Sequence, residues 1–240
     1  MLTRRHFLST SAALFSPALP LLAQTAEEPL VDVTEPIAGA AAEEVAVPRR
    51  PVSNRAMWNA WDARVTPANY DPFTSNPWGF HPRFLPQLVE HKAGLKPGDI
   101  HVDAIGRYLY HIRTDGTAMR YGVAIAKGNL YEPGSYTIRR KTKWPTWRPT
   151  DAMIEREPWK YKEFENGMDG GPSNPLGSRA LYLFEGNRDT YLRIHGTTSP
   201  RSIGGRASSG CVRMVMAHII GLYEEVQTGS TAYLYDVERA

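Results

Sequence analysis

Runs of β-forming residues separated by turn signals begin at Ile100 and recur to the end of the chain. Ile100–Ile105 and Tyr108–Arg113 form one candidate pair, and Thr114-Asp115-Gly116-Thr117 supplies a hairpin turn into a third run, Ala118–Ala126. Leu181–Phe184 and Tyr191–Ile194 form a second pair, joined through Gly186-Asn187. The second of these strands, ending at Ile194, is expected to deliver His195 to a sheet edge. Met216, Ile219, Ile220, Tyr223 and Val226 then recur at helical spacing, Gly229 ends that run, and Thr231–Val237 returns as a strand. Many short strands with one C-terminal-side helix predict a mainly β domain, a curved β-sandwich.

Three stretches depart from this pattern. Residues 141–175 follow neither period and hold Trp144, Trp147, Trp159, Tyr161 and the pair Gly170-Gly171. An insert of that length inside a compact domain reads as a functional or mobile flap, its aromatic rings forming a wall of a cleft or packing on the sheet. Residues 54–97 bring aromatics interleaved with prolines (Trp58, Trp61, Tyr70, Phe73, Trp78, Phe80, Phe84) and read as an irregular, ordered arm on a catalytic domain spanning 98–240, with an exposed aromatic surface for sugar stacking as the alternative. Residues 24–53, rich in Ala, Glu, Pro and Val, cannot bury enough apolar surface to offset their chain entropy and read as a disordered linker.

The first 23 residues change the compartment. Adjacent Arg4 and Arg5 precede Phe7-Leu8 and an apolar stretch to Leu22-Ala23, an export signal of twin-arginine appearance, or an ordinary secretory signal with a chance arginine pair, with a cut expected at Ala23–Gln24. The stretch is short and interrupted by Pro17 and Pro20, so no stable membrane span is expected after cleavage. The residue after the cut is Gln24, not the cysteine that a lipid anchor would need, so no such anchor is expected. Without Arg4 and Arg5 the chain has 26 basic against 25 acidic side chains, and no basic patch recommends nucleic acid as a partner.

Export gives the one cysteine its meaning. Cys211 has no intramolecular partner in an oxidising compartment, which leaves a reactive thiol, an intermolecular link or a buried structural residue. It sits in Ser208-Ser209-Gly210-Cys211-Val212-Arg213-Met214, and His195 opens His195-Gly196-Thr197 upstream. A thiol attacks as thiolate and wants a base, histidine is the side chain suited to that near neutral pH, and a glycine lets the backbone approach a substrate. Thiol acyl transfer is therefore the candidate chemistry. Metal catalysis has little to recommend it, since His81, His91, His101 and His111 show no ligand spacing. His218 reads as a helix-surface residue, and no cofactor is called for.

The string His195-Gly196-Thr197 … Pro200 … Ser202-Ile203-Gly204 … Ser208-Ser209-Gly210-Cys211-Val212-Arg213-Met214 resembles the active-site block of the YkuD-type L,D-transpeptidases. Pro133-Gly134-Ser135-Tyr136, Asn174-Pro175-Leu176-Gly177 and Leu222-Tyr223 … Val226 … Gly229 are similar to further family segments, and the resemblance runs over roughly 98–237. Ser209 stands where many members carry histidine, and Tyr131-Glu132-Pro133-Gly134 departs from their Thr-Pro-x-Gly.

The resemblance implies a periplasmic enzyme acting on peptidoglycan stem peptides through a Cys211 thioester. His195 would be the base, held by a backbone carbonyl or by the hydroxyl of Ser208 or Thr197. Backbone N–H groups near Gly210 and Cys211 would hold the oxyanion, with Ser208 and Ser209 in the same loop. Arg213 would hold a substrate carboxylate or form an ion pair that fixes the nucleophile loop, with Gly196 and Thr197 beside the substrate. The product would be a 3–3 crosslink with release of D-alanine. Water as acceptor makes the same machinery an L,D-carboxypeptidase or amidase, and an amino group of an outer-membrane protein or lipoprotein makes it an attachment enzyme. A wall-binding protein without turnover is the reading from another class.

Overall fold

The computed structural model of the chain describes residues 55–236. The expected export signal (1–23) and linker (24–53) lie outside them. Among the described residues, eleven strands and four α-helices are arranged in chain order as α1 (Arg55–Val65), β1 (Gln87–Glu90), β2 (Ile100–Asp103), β3 (Tyr108–Ile112), β4 (Thr117–Gly122), β5 (Ile125–Ala126), β6 (Gly134–Lys143), α2 (Asp151–Arg156), α3 (Pro158–Tyr161), β7 (Arg179–Glu185), β8 (Arg188–Thr197), β9 (Arg206–Ser208), β10 (Val212–Val215), α4 (Met216–Glu225) and β11 (Thr231–Leu234). Nine strands make one sheet in the order β1-β4-β3-β2-β11-β6-β7-β8-β10, and β5 pairs with β9 separately. The fold is mainly β, as the strand pattern predicts.

The sheet curls because one face of every long strand must be dry. Met119 and Tyr121 of β4 share a core with Val212 and Met214 of β10, although the two strands lie near opposite ends of the sheet. Ile219, Leu222 and Val226, at the helical spacing seen in the sequence, place one side of α4 and the residue after it in that same core. Leu181, Leu183, Ile194, Met214, Ile219 and Leu222 are all fully buried, and each such side chain contributes about 1.5–3 kcal/mol. The curl is joined at its ends by two hydrogen bonds, Ala124 N–H to the Arg213 carbonyl at 2.9 Å and Arg213 N–H to the Ala124 carbonyl at 2.8 Å.

The arm is more regular than its proline-rich sequence suggests. It begins as a helix and donates β1, which pairs antiparallel with β4 from Gln87↔Arg120 to Glu90↔Thr117. Phe84 pins it to the domain. A Cβ on Gly204 would lie 2.2 Å from the Phe84 ring and one on Gly122 only 2.4 Å from Phe84 Cβ, so glycine at both positions makes room for the ring. The arm also overturns the reading of His218 as a helix-surface residue. That side chain is 2 % exposed, with Tyr70, Trp78, Phe80 and Tyr121 around it and its Nε2 2.5 Å from the Tyr70 hydroxyl. Burial holds its pKa down to about 3.

A second anchor joins α1 to the start of β7. Arg179, 2 % exposed, donates to both Asp62 carboxylate oxygens at 2.8 and 2.7 Å, and the Trp144 indole N–H donates to Asp62 Oδ1 at 3.1 Å. Trp61 packs edge-on against Trp144 with centroids 5.2 Å apart. Removing one partner of a buried pair leaves an uncompensated charge. Asp62→Ala is therefore expected to loosen the arm by roughly 3 kcal/mol. Limited proteolysis should then cleave between residues 55 and 80 at protease levels that leave the parent intact; equal resistance would contradict the anchor.

Candidate active site

The β8–β10 pairing builds the site. The two strands run parallel with Val212↔Ile194 and Arg213↔His195 in register. Side chains alternate between faces along a strand, so Ile194, Val212 and Met214 point into the core. Arg193, His195, Cys211 and Arg213 take the opposite face together. β8 does not end at Ile194 but continues to Thr197, so His195 lies between Ala180 of β7 and Arg213 of β10 rather than at an edge.

Cys211 leaves a tight turn between β9 and β10. Gly210 sits at φ +148°, a region that a side chain rarely enters, and this requirement, not crowding, explains the glycine. Ser208 Oγ donates to the Cys211 carbonyl and accepts the Gly210 N–H at 3.4 Å, so the serine braces the turn rather than the histidine. Cys211 is partly exposed, and its thiol points at the Tyr191 carbonyl, 3.7 Å away. That carbonyl is aimed by a register shift in the β7–β8 pairing, where Tyr191 adopts φ +60° and Asp189 accepts its N–H at 2.9 Å.

His195 is 4 % exposed. Its Nδ1 lies 2.5 Å from the Gly196 carbonyl, which can only accept, so Nδ1 carries the proton and Nε2 the lone pair. The backbone carbonyl is thus the orienting group. Thr197 Oγ1 is engaged elsewhere, accepting the Ser199 N–H at 3.1 Å. Burial first, and then the Arg213 charge, push the His195 pKa down to about 3. Burial raises the Cys211 thiol above its ordinary value, with the Arg193 and Arg213 guanidiniums opposing that shift. Both groups therefore rest neutral at neutral pH.

The other expected residues divide. Arg213 meets no carboxylate among the described ion pairs; its charge faces Cys211 and Tyr161 instead. Ser209 Oγ lies 3.1 Å from the Tyr161 hydroxyl, at the tip of the insert that the sequence left without a period. Gly196 turns its Cα toward Ser178, Met216 and Ile219, on the side away from Cys211. Trp144 is buried under α1, Trp147 packs on Tyr161 and Phe164, and Trp159 is 80 % exposed.

Arg193 and Tyr161 are the residues that motif reading missed. Arg193 is held bidentately by Asp189 at 2.7 and 2.9 Å, with its guanidinium 4.1 Å from the Tyr182 ring centroid. Its position two before His195 on a strand was the available signal. Nothing in the sequence pointed to Tyr161. Among the described residues no group of three or more His, Cys, Asp or Glu is arranged to hold a metal ion.

Residues 97–234 match the family described as the L,D-transpeptidase catalytic domain, YkuD. The L,D-transpeptidase named for the ATP synthase subunits region of Fuscovulum blasticum is 32 % identical over 143 residues, 54 % of this chain and 70 % of that protein. YbiS of Escherichia coli K12, named a probable L,D-transpeptidase, is 30 % identical over 154 residues, 63 % of this chain and 49 % of that protein. The chain thus spans about half the length of the second relative. A solved chain from Brucella melitensis, titled a probable carnitine operon oxidoreductase, is 52 % identical and covers 65 % of this chain and 96 % of its own, with a TM-score of 0.45.

A neutral thiol and a neutral imidazole on one sheet face have a measurable consequence. Below its raised pKa the thiolate fraction grows roughly tenfold per pH unit. Alkylation of Cys211 by iodoacetamide, followed by intact mass, should keep climbing through pH 9 with no inflection near 6.5, because His195 titrates only near 3. A plateau between pH 6 and 8 would mean a preformed thiolate–imidazolium pair.

Proposed function

The chain belongs to the L,D-transpeptidase family, and from that premise we propose that it is a periplasmic enzyme joining peptidoglycan stem peptides through a Cys211 thioester. The observation that carries this reading is the shared face of Cys211, Arg213 and His195 across the β8–β10 pairing. Cys211 Sγ attacks the carbonyl of the third stem residue while His195 Nε2 takes the thiol proton. Since both groups rest neutral, proton transfer accompanies attack. Two guanidiniums near the sulfur favour the anion that forms and disfavour a standing imidazolium.

The tetrahedral oxyanion falls to the backbone N–H of Cys211, such a donor being worth about 2.7–4 kcal/mol. His195 returns its proton to the departing D-alanine amine, the carbon–nitrogen bond breaks and a thioester remains. The side-chain amine of a second stem's third residue then attacks, loses its proton to His195 and expels the thiol, giving a 3–3 crosslink. Water in place of the amine gives a tripeptide. Arg213, charged and facing Cys211, is suited to a substrate carboxylate. Export by the twin-arginine route accounts for Arg4-Arg5 and supplies the compartment where the substrate lies. Among the described residues no helix is long and apolar enough to cross a membrane.

Mass spectrometry of muropeptides incubated with the exported form and with Cys211→Ala tests the proposal. The expected outcome is 3–3 dimers with D-alanine loss in the first sample and neither in the second. Cysteine-dependent tripeptides without dimers would replace the transpeptidase by a carboxypeptidase. Dimers made equally well by Cys211→Ala would overturn the thiol mechanism.

A further inference from the structure

A pocket of about 310 Å³ opens beside β11 and the start of β6, outside the catalytic cleft. Small-ligand sites begin at about that size. Tyr233, Tyr235 and Asp236 line it from β11 and its continuation, and Pro133, Gly134 and Ser135 from β6 and the loop before it. Ala232, Leu234 and Tyr136 belong to the core, so by alternation Tyr233, Tyr235 and Ser135 take the outer face of the sheet. One buried imidazole fixes both rings. Tyr233 stacks on His101 with centroids 4.8 Å apart and planes 15° from parallel. Tyr235 lies 19° from parallel to the same ring, with its hydroxyl 2.7 Å from His101 Nδ1. Tyr235 is nonetheless 42 % exposed. The rings of the arm, by contrast, are used in packing, Trp78 and Phe80 on His218.

The lining selects among ligands. Asp236 lines the pocket and, among the described residues, no lysine or arginine does, which disfavours an anion. β11 is hydrogen-bonded to β2 on one side and β6 on the other, so an extended peptide cannot add to it as a strand. A sugar ring suits the site. Its C–H face is apolar and matches a fixed tyrosine face, while its rim of hydroxyls and amides meets the Ser135 hydroxyl and the Asp236 carboxylate. The loop before β6 links the pocket to the nucleophile turn. The Leu130 carbonyl lies 4.0 Å from where a Cβ on Gly210 would stand, and the Glu132 charge acts on Cys211. Pro133 is three residues on from Leu130, so the pocket begins at most about 11 Å along the chain from a carbonyl that touches that turn. We infer that this pocket is a saccharide site that holds a neutral, N-acetylated stretch of the glycan strand bearing the stem peptides, with Tyr235 as its stacking contact. The inference rests on the proposed peptidoglycan substrate. It gives the protein a hold on the polymer through its sugars, separate from the chemistry on its peptides.

The test is an amide NMR titration of the full chain carrying Cys211→Ala with a peptide-free N-acetylglucosamine tetramer, and in parallel with the sugar-free tetrapeptide L-Ala-γ-D-Glu-diaminopimelate-D-Ala. The saccharide should give saturable shifts at residues 134–136 and 233–236 that the tetrapeptide does not. Tyr235→Ala, added to that background, should weaken saccharide binding about five- to tenfold, and Tyr235→Phe, which keeps the ring face, should retain most of it. Ser135→Gln, at an exposed position of β6, should weaken it too by filling the pocket from the neighbouring strand. Unchanged amide shifts along β7 and β8 identify each variant as folded. No saccharide binding by the parent, shifts confined to other residues, or equal binding by Tyr235→Ala and Ser135→Gln would overturn the site. Turnover of sacculi by the unaltered protein is scored separately. Turnover with saccharide binding that ignores Tyr235 rejects the pocket alone. Tyr235-dependent saccharide binding without turnover rejects the stem-peptide reading and leaves the saccharide site standing.

Discussion

The parallel pairing of β8 with β10 is the constraint on which the rest depends. Two strands from opposite sides of a Gly- and Ser-rich connection are held in register, and alternation along each then decides which side chains see the core and which see the cleft. A slip of one residue would send Ile194 and Val212 outward and bury Cys211 and Arg213 among Leu192 and Ile219. The core specifies the site because the apolar positions of these strands are fully buried. The bridge between Ala124 and Arg213 adds a second fixed neighbour to β10.

Around that pair the molecule spends polar contacts on holding geometry and leaves charge free for the cleft. The Gly196 carbonyl fixes the imidazole, Ser208 braces the turn, and Asp189 neutralises Arg193. Arg213 stays without a carboxylate among the described ion pairs. Burial keeps the thiol and imidazole neutral, and the Arg193 and Arg213 guanidiniums act on the sulfur against burial and the Glu132 carboxylate. Covers close over this face from two sides. Tyr161 of the insert reaches Ser209, and the arm, pinned by Phe84 and by the Asp62–Arg179 pair, packs against Val215 at the far end.

Much of this was legible in the chain. The runs at Ile100, Tyr108, Leu181 and Tyr191 became β2, β3, β7 and β8, and the helical spacing from Met216 became α4, because each buries one continuous apolar face. Local patterns failed where a tertiary partner decides the outcome. α1 carries no buried residue, so its sequence shows no apolar stripe, and its place is set by the ion pair to Arg179, over a hundred residues away. β1 is a four-residue edge strand with one partly buried position, too short to alternate visibly. His218 is buried by the arm, not by its own helix. Tyr161 reaches Ser209 from an insert with no period to announce it. Arg193 was within reach of alternation counted back from His195, since a strand that presents one residue to a cleft presents its second neighbour too.

The central claim is that Cys211 and His195 act as nucleophile and base on one sheet face. Intact-protein mass spectrometry after acid quench, with a tetrapeptide donor, tests it most directly. The account predicts a tripeptide acyl adduct on Cys211, formed about 10²–10⁴ times more slowly in His195→Gln. An adduct formed at the same rate without the imidazole, or D-alanine released with no adduct on Cys211, would contradict it.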